Sequence, residues 1–328
     1  MRRREFITLL GGTLAGSPLC ACGQQPATPV IGFISSDSPP PGTEFARLLT
    51  AFDKGLNEHG YVEGQNIAFE FRWTGGQYNR LPEMVADLLR HRVAVIAATA
   101  GLPSALAAKA ATETIPILFV IGADPVQVGL VSSLGRPGGN ATGVSVFTTE
   151  LAQKRLELLH QTVPSATTIA QLVNPRSYDS GRDQMEDAAR DRGLKLLVLE
   201  ASVESDFEAA FAIAAQQRTD ALWVTADPFF MTQHAKIVAL AARHGLPAVY
   251  PWRQYAEAGG LMSYGPELTW AYHQIGLYAG RILKGAKPSD LPVQLPTNFQ
   301  LIINHSTAKE LGLELPRILL AQADELIE

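Results

Sequence analysis

Two stretches of this chain follow one plan. Val93 to Val120 reads as an apolar strand ending in Thr99-Ala100, an Ala-rich helix, and a second strand entered through Ile115-Pro116. Ala221 to Pro251 repeats that order, with Thr225-Ala226-Asp227, another Ala-rich helix, and Leu246-Pro247. The echo extends upstream. Pro29 to Ser35 and Thr168 to Asn174 are matching first strands, each followed by a helical stretch that ends near a Gly and leads into another strand. Strand, helix, strand in this rhythm implies parallel crossovers and open sheets covered on both faces. Two α/β halves of roughly 120 residues each predict two lobes across a cleft, where ligands of such sheets sit.

The local patterns agree. Phe45, Leu48, Leu49, Phe52 and Leu56 recur at helical spacing, and Ile67, Phe69, Phe71 and Trp73 alternate as one face of a strand does. Trp73 is read as core packing. Further helices are expected at 81–91, 150–162, 182–192, 206–217 and 272–283, and further strands at 117–121 and 194–199. The clearest break is Gly135 to Gly143, which suits a hinge crossing or a Gly-rich surface loop. Gly259 to Pro266 reads as a second crossing and Asn298 to Asn304 as a third.

Of the 328 residues, 46% are hydrophobic and 18% charged, the balance of a globular chain with a sizeable core. Net charge is -5; setting aside Arg2, Arg3, Arg4 and Glu5 leaves 24 basic against 31 acidic side chains. A mildly acidic body without a basic cluster argues against nucleic acid as a partner.

The first residues read as an export signal. Arg2-Arg3-Arg4 is followed by an apolar but Gly-rich run from Phe6 to Leu19, too short for a membrane span. Arg3-Arg4-Glu5-Phe6-Ile7 is similar to a twin-arginine pattern, with ordinary secretion as the alternative. Leu19-Cys20-Ala21-Cys22 resembles a lipoprotein cleavage box that would make Cys22 the lipidated first residue, and residues 23–28 a polar tether. The fallback is a freely soluble periplasmic form. Both cysteines lie in this segment, so the body is expected to hold no disulfide, thiol nucleophile or thiolate metal site.

Side chains and amides just beyond the carboxyl ends of parallel strands face the cleft. Here they are Ser35, Ser36, Thr99, Gly101 and Asp124 in the first half, and Asn174, Asp227, Tyr250 and Trp252 in the second. Ala100-Gly101 before a helix start offers free N–H groups to a carboxylate, and Asp124 or Asp227 suits the cation at the other end of a zwitterion. For any one of them a cap or turn role is the commoner one, and the matching positions in the two halves raise the joint case. Tyr250, Trp252, Tyr255 and Tyr264 form either an aromatic wall or hinge packing. Arg253 suits a ligand carboxylate or a helix pair with Glu257.

Enzyme signatures are missing. The seven histidines have no metal-ligand spacing and are expected at the surface. No P-loop, Gly-x-Gly-x-x-Gly or Gly-x-Ser-x-Gly string occurs, and Glu83 with Asp87 sits on a solvated helix face. No cofactor, metal or catalytic residue is therefore assigned, and the chain is expected not to be an enzyme.

Met1 to Gly12, Gly60 to Ile67 (GYVEGQNI), Arg136 to Val144 (RPGGNATGV), Ala226 to Phe230 (ADPFF) and Glu257 to Pro266 (EAGGLMSYGP) closely resemble ABC-transporter substrate-binding proteins of the family that includes tryptophan- and phenylalanine-binding members. The resemblance spans essentially the whole chain. It implies a type I periplasmic-binding-protein fold: two Rossmann-like lobes with parallel sheets, joined by a three-segment hinge. The lobes expected are residues 29–145 plus 265–298 and residues 146–264 plus 299–328, after the signal at 1–22. Closure around a small solute, aromatic amino acids leading, and delivery to a membrane permease follow from the resemblance. Ser36, Gly101, Asp124, Asn174, Asp227 and Tyr250 carry the family's strand-end contact positions. Such binders act singly, so a monomer is expected. The alternatives are a receptor serving a signalling partner and, from another class, a periplasmic enzyme.

Overall fold

The computed structural model describes residues 28–36, 43–147, 151–177 and 182–328. The signal segment and Cys22 lie outside these described residues. No helix among the described residues is long and apolar enough to cross a membrane.

The first unit runs β1 (Val30–Ser35), α1 (Thr43–Asn57), β2 (Ala68–Trp73), α2 (Leu81–Arg90), β3 (Val95–Thr99), α3 (Leu102–Ala111), β4 (Ile117–Ile121) and β5 (Ala141–Ser145). The second runs α4 (Ala152–Thr162), β6 (Thr168–Val173), α5 (Arg182–Asp191), β7 (Lys195–Glu200), α6 (Asp206–Gln216), β8 (Ala221–Val224), α7 (Pro228–Thr232), α8 (His234–Arg243), β9 (Ala248–Tyr250), α9 (Arg253–Glu257) and β10 (Met262–Pro266). Then follow α10 (Leu268–Leu283), β11 (Phe299–Asn304), α11 (His305–Glu310), α12 (Arg317–Gln322) and β12 (Glu325–Ile327).

Strand order is β2-β1-β3-β4-β5 in one sheet and β12-β11-β10-β9-β8-β6-β7 in the other. The first sheet is parallel throughout. In the second, β10 and β11 pair antiparallel and the remaining neighbours are parallel. Read from its own first strand, the second sheet begins with the same winding as the first, β7-β6-β8-β9-β10, so the repeat in the sequence is a repeat of topology. Each sheet reverses its order once, between β1 and β3 and between β6 and β8. Ligands of open α/β sheets sit at such reversals.

The helix faces explain the layers. In α1, Leu48, Phe52 and Leu56 are buried, and they pack with Ile31 and Phe33 of β1 and with α10. That α1–α10 contact is unusually close. A Cβ on Gly55 would lie 2.3 Å from the His273 carbonyl oxygen, and one on Gly276 would lie 2.1 Å from that of Phe52. The other face of the first sheet is covered by α2 and α3 through Val85, Leu88, Ala105 and Ala108. β3 and β4 are buried along their whole length, which is why both are continuous apolar runs. In the second unit, α6 and α8 cover one face, and α4 and α5 the other.

The glycine-rich stretch takes the loop reading, and the second crossing lies later than expected. Gly135 to Asn140 is a loop within the first unit, pinned where the Asn140 side-chain amide donates to the Thr112 and Ile115 carbonyls at 2.9 and 2.8 Å. β10 and β11 are paired strands of the second sheet, so Gly265 and Pro266 belong there. The chain changes sheets just after β5, between Pro266 and α10, and between Gln294, which bridges to Val144, and β11. The physical reason is pairing and packing: β10 is hydrogen-bonded to β9 and β11, and Gly260 and Gly265 let it approach Tyr250 and Pro251 closely rather than swivel. The histidines also differ, for only His91 is exposed and the other six are half-buried. An imidazole can pack its carbon edge and still reach a polar partner, as where His273 Nε2 meets Glu58 at 2.9 Å beside α10.

Candidate functional site

Both reversal points are built from small polar residues. In the first unit Ser35 and Thr99 are register partners at the carboxyl ends of β1 and β3. The chain then turns through Ala100 at φ 56° and Gly101 at φ 97° into α3. A left-handed alanine is uncommon, and Ser36 holds it there by donating its hydroxyl to the Ala100 carbonyl. Ser104 completes the staple: its Oγ accepts from the Ser36 N–H at 3.1 Å and donates to the Thr99 carbonyl at 2.8 Å. Gly101 is the N-cap of α3 and has no side chain to cap it; its own N–H donates to the Val120 carbonyl at 3.4 Å and Pro103 has none, so the uncapped donors at this positive helix end are those of Leu102 and Ser104.

In the second unit Asn174 follows β6 and Asp227 follows β8. Asp227 is 3% exposed. It caps α7 by accepting from the Phe230 N–H at 3.2 Å, and Asn174 Nδ2 lies 3.2 Å from each of its carboxylate oxygens. Asn174 Oδ1 in turn accepts from the Arg176 N–H at 3.0 Å, which fixes the amide. Burial pushes the Asp227 carboxyl above the usual carboxylate range, against the hydrogen bonds that lower it. None of the ion pairs among the described residues includes Asp227. It is a buried carboxylate held by neutral donors.

The two reversal points meet. A Cβ added to Gly101 would lie 3.3 Å from Pro228 Cγ, so the β3–α3 turn of one unit abuts the first residue of α7 in the other. An open helix start and a buried carboxylate therefore sit at one junction. This arrangement offers hydrogen-bond donors to an anionic group and an acceptor charge to a cationic one.

The other strand-end residues are placed differently. Asp124 Oδ1 accepts from the Val126 and Gln127 N–H groups at 2.7 and 3.3 Å, an Asx turn leaving β4. Tyr250 is 1% exposed and stacks on Tyr255 at 4.8 Å inside the second unit, where burial drives its hydroxyl pKa up. Trp252 is buried as the N-cap of α9. Tyr264 is half-buried, with its ring 6.3 Å from that of Phe299. Arg253 is paired with Glu257 at 2.7 Å and Glu325 at 3.0 Å.

Arg155 escaped the sequence reading. It is fully buried, donates Nε–H to the Tyr264 carbonyl at 2.7 Å, and burial lowers its guanidinium to about 9. The signal was its place four residues after Leu151 and four before Leu159, within the apolar stripe of α4.

Residues 41–327 match the family model described as ABC transporter substrate binding protein. The chain is 28% identical over 266 residues, 80% of this chain and 76% of its relative, to a tyrosine-binding protein of Clostridioides difficile (strain R20291). Among solved structures it is similar to an ABC domain in complex with L-Trp from Streptococcus pneumonia, at 26% identity, covering 92% of this chain and 100% of that one, with a TM-score of 0.80. The ligand-free, open structure of a substrate-binding protein with adhesive properties from Clostridium difficile is also 26% identical, covering 91% and 99% of the two chains, with a TM-score of 0.63. At equal identity and near-equal coverage, the present arrangement of the two units superposes better on the L-Trp complex than on the open form.

Proposed function

The chain belongs to the family of ABC transporter substrate-binding proteins, and from that premise we propose that it is an extracytoplasmic receptor that takes a free amino acid, aromatic by preference, between its two units and delivers it to an ABC permease. The observation that carries this reading is the junction of the open α3 start with the buried Asp227 carboxylate. A zwitterion supplies the two charges that this junction lacks: its carboxylate faces the α3 N–H groups beside Gly101, and its ammonium faces Asp227. Ser35, Thr99 and Asn174 complete the polar shell, with Asp124 at its rim. The tyrosine-binding relative and the L-Trp complex support the choice of an aromatic amino acid.

Release and capture then need the two units to separate, by rotation about the three chain passages between the sheets. The lobes are residues 29–145 with the segment around α10, and residues 151–266 with 299–328. Cys22, as the lipidated first residue, would tether the receptor near its permease. Nothing in this reading calls for turnover, so the solute leaves as it arrived.

The test is a thermal-shift screen of the chain begun at Gly23 against the free amino acids. A ligand at a hundred times its Kd adds about 2.7 kcal/mol of stability, which is several degrees in Tm. Shifts with Tyr, Trp or Phe are the expected result. A flat response to every amino acid removes the zwitterion reading.

A further inference from the structure

Trp73 is the last residue of β2, and the sheet register sets it in line with two small polar residues. Ser35 is the Cα partner of Trp73 on one side and of Thr99 on the other. Strand alternation places all three on the α1 face, in line with Phe71, Phe33 and Ala97 one step below. They form a single row along the carboxyl edge of the sheet. Two members of that row are the polar residues of the first reversal point, and the third is an indole.

A train of rings leads to that edge. Phe33 contacts Phe52 at 4.9 Å, Phe69 at 5.5 Å and Phe71 at 5.1 Å, the last in a stacked geometry. Phe71 then stacks parallel to Trp73 at 6.2 Å and 11°, and Phe45 meets Trp73 edge-on at 4.7 Å and 81°. The inner rings, Phe33 and Phe52, are buried, whereas Phe71, Phe45 and Trp73 remain partly exposed. The outermost indole is thus held in orientation from two sides, with a third side left to solvent. Tyr250 and Tyr255, by contrast, spend their ring faces on each other inside the second unit.

We propose that Trp73, braced by Phe45 and Phe71, is the specificity-determining wall of the site: the ligand's aromatic side chain packs against this indole while its head group sits between Gly101 and Asp227. The inference rests on the amino-acid reading above and assigns the side-chain subsite within it. An indole fixed by two rings loses little entropy on binding, and its face prefers another ring in offset or edge contact.

The experiment is calorimetric titration of the chain begun at Gly23, wild type, W73L and W73F, with L-Tyr, L-Trp, L-Phe and L-Ala. Loss of the ring–ring contact in W73L is expected to weaken the aromatic ligands about tenfold, leave L-Ala affinity unchanged where it is measurable, and leave W73F within about threefold of wild type. Fluorescence excited at 295 nm gives a second readout that W73F alone provides. L-Phe, which does not absorb there, is expected to change the wild-type emission more than that of W73F, in which Trp223, Trp252 and Trp270 still emit. If wild type binds aromatic amino acids but W73L keeps full affinity, or W73F shows the whole of the wild-type fluorescence change, the subsite assignment is overturned while the amino-acid reading stands. If wild type binds none of the four, both fall.

Discussion

Replacing Asp227 by Asn separates what this carboxylate does for the fold from what it does for a ligand. For the fold, little should change. Asn is as good an N-cap as Asp, so the bond from the Phe230 N–H at 3.2 Å survives. One of the two contacts from Asn174 Nδ2 loses its acceptor, at about 0.5–1.5 kcal/mol. Against that loss, the variant no longer buries a charge that the site disfavours. The two effects oppose each other, and Tm should hold within a few degrees. For the ligand, Asn leaves an ammonium desolvated without a counter-charge, which costs about 2–5 kcal/mol, or roughly 30- to 5,000-fold in Kd. The pH dependence sharpens the test. In the free protein the Asp227 carboxyl is raised, and a bound ammonium favours its ionised form. As pH falls through that raised value, the free protein takes up a proton that ligand binding must expel, so wild-type affinity weakens on acidification and D227N affinity stays flat. Isothermal titration of wild type and D227N with an aromatic amino acid between pH 4 and 8, paired with thermal melts, reads all three quantities. Equal Kd values within twofold at pH 7 would refute the assignment of Asp227 as the cation partner.

Two further changes test the scaffold. Asp53 on α1 is raised to about 6 by burial and by the charge of Glu63; its neutral form is favoured in the folded state, so its stabilising share is full below pH 3.8 and lost as pH rises through about 6. After discounting for solvent screening, D53N should gain about 1–2 kcal/mol over wild type at pH 8 and nothing near pH 3.5, read from urea melts at both. Gly276→Ala sets a helix-propensity gain of about 1 kcal/mol against a Cβ placed 2.1 Å from the Phe52 carbonyl oxygen. Backbone cannot rotate away, so overpacking at about 3 kcal/mol should prevail and the variant should melt several degrees lower; an unchanged Tm would mean that α1 and α10 slide apart at little cost.

Much of this protein was legible without coordinates, wherever a local pattern reports a local environment. The spacing of Phe45, Leu48, Leu49, Phe52 and Leu56 specifies a one-faced helix, and α1 follows it. The apolar run from Ile117 to Ile121 specifies a strand buried on both faces, and β4 is one. The doubled strand-helix-strand order specifies two similar sheets, and the strings 60–67 and 257–266 identify the family. Strand-end residues such as Thr99 and Asp227 could be named because parallel sheets put their carboxyl ends on one side. Other features required the tertiary structure. Glycine content could not distinguish the pinned loop at 135–140 from the true passages, since Asn140 is secured by residues more than two dozen positions earlier. The alternation that made Trp73 look like core is genuine, but its exposure depends on where β2 ends relative to Ser35, a matter of register between strands. The stripe of α4 places Arg155 on an apolar face, but its partner is the Tyr264 carbonyl, 109 residues later, which no local pattern supplies. The approach of Gly101 to Pro228 joins residues of different sheets that share no local pattern. Periodicity encodes which face of an element is apolar; which distant element meets that face, and what lies between them, is decided by packing.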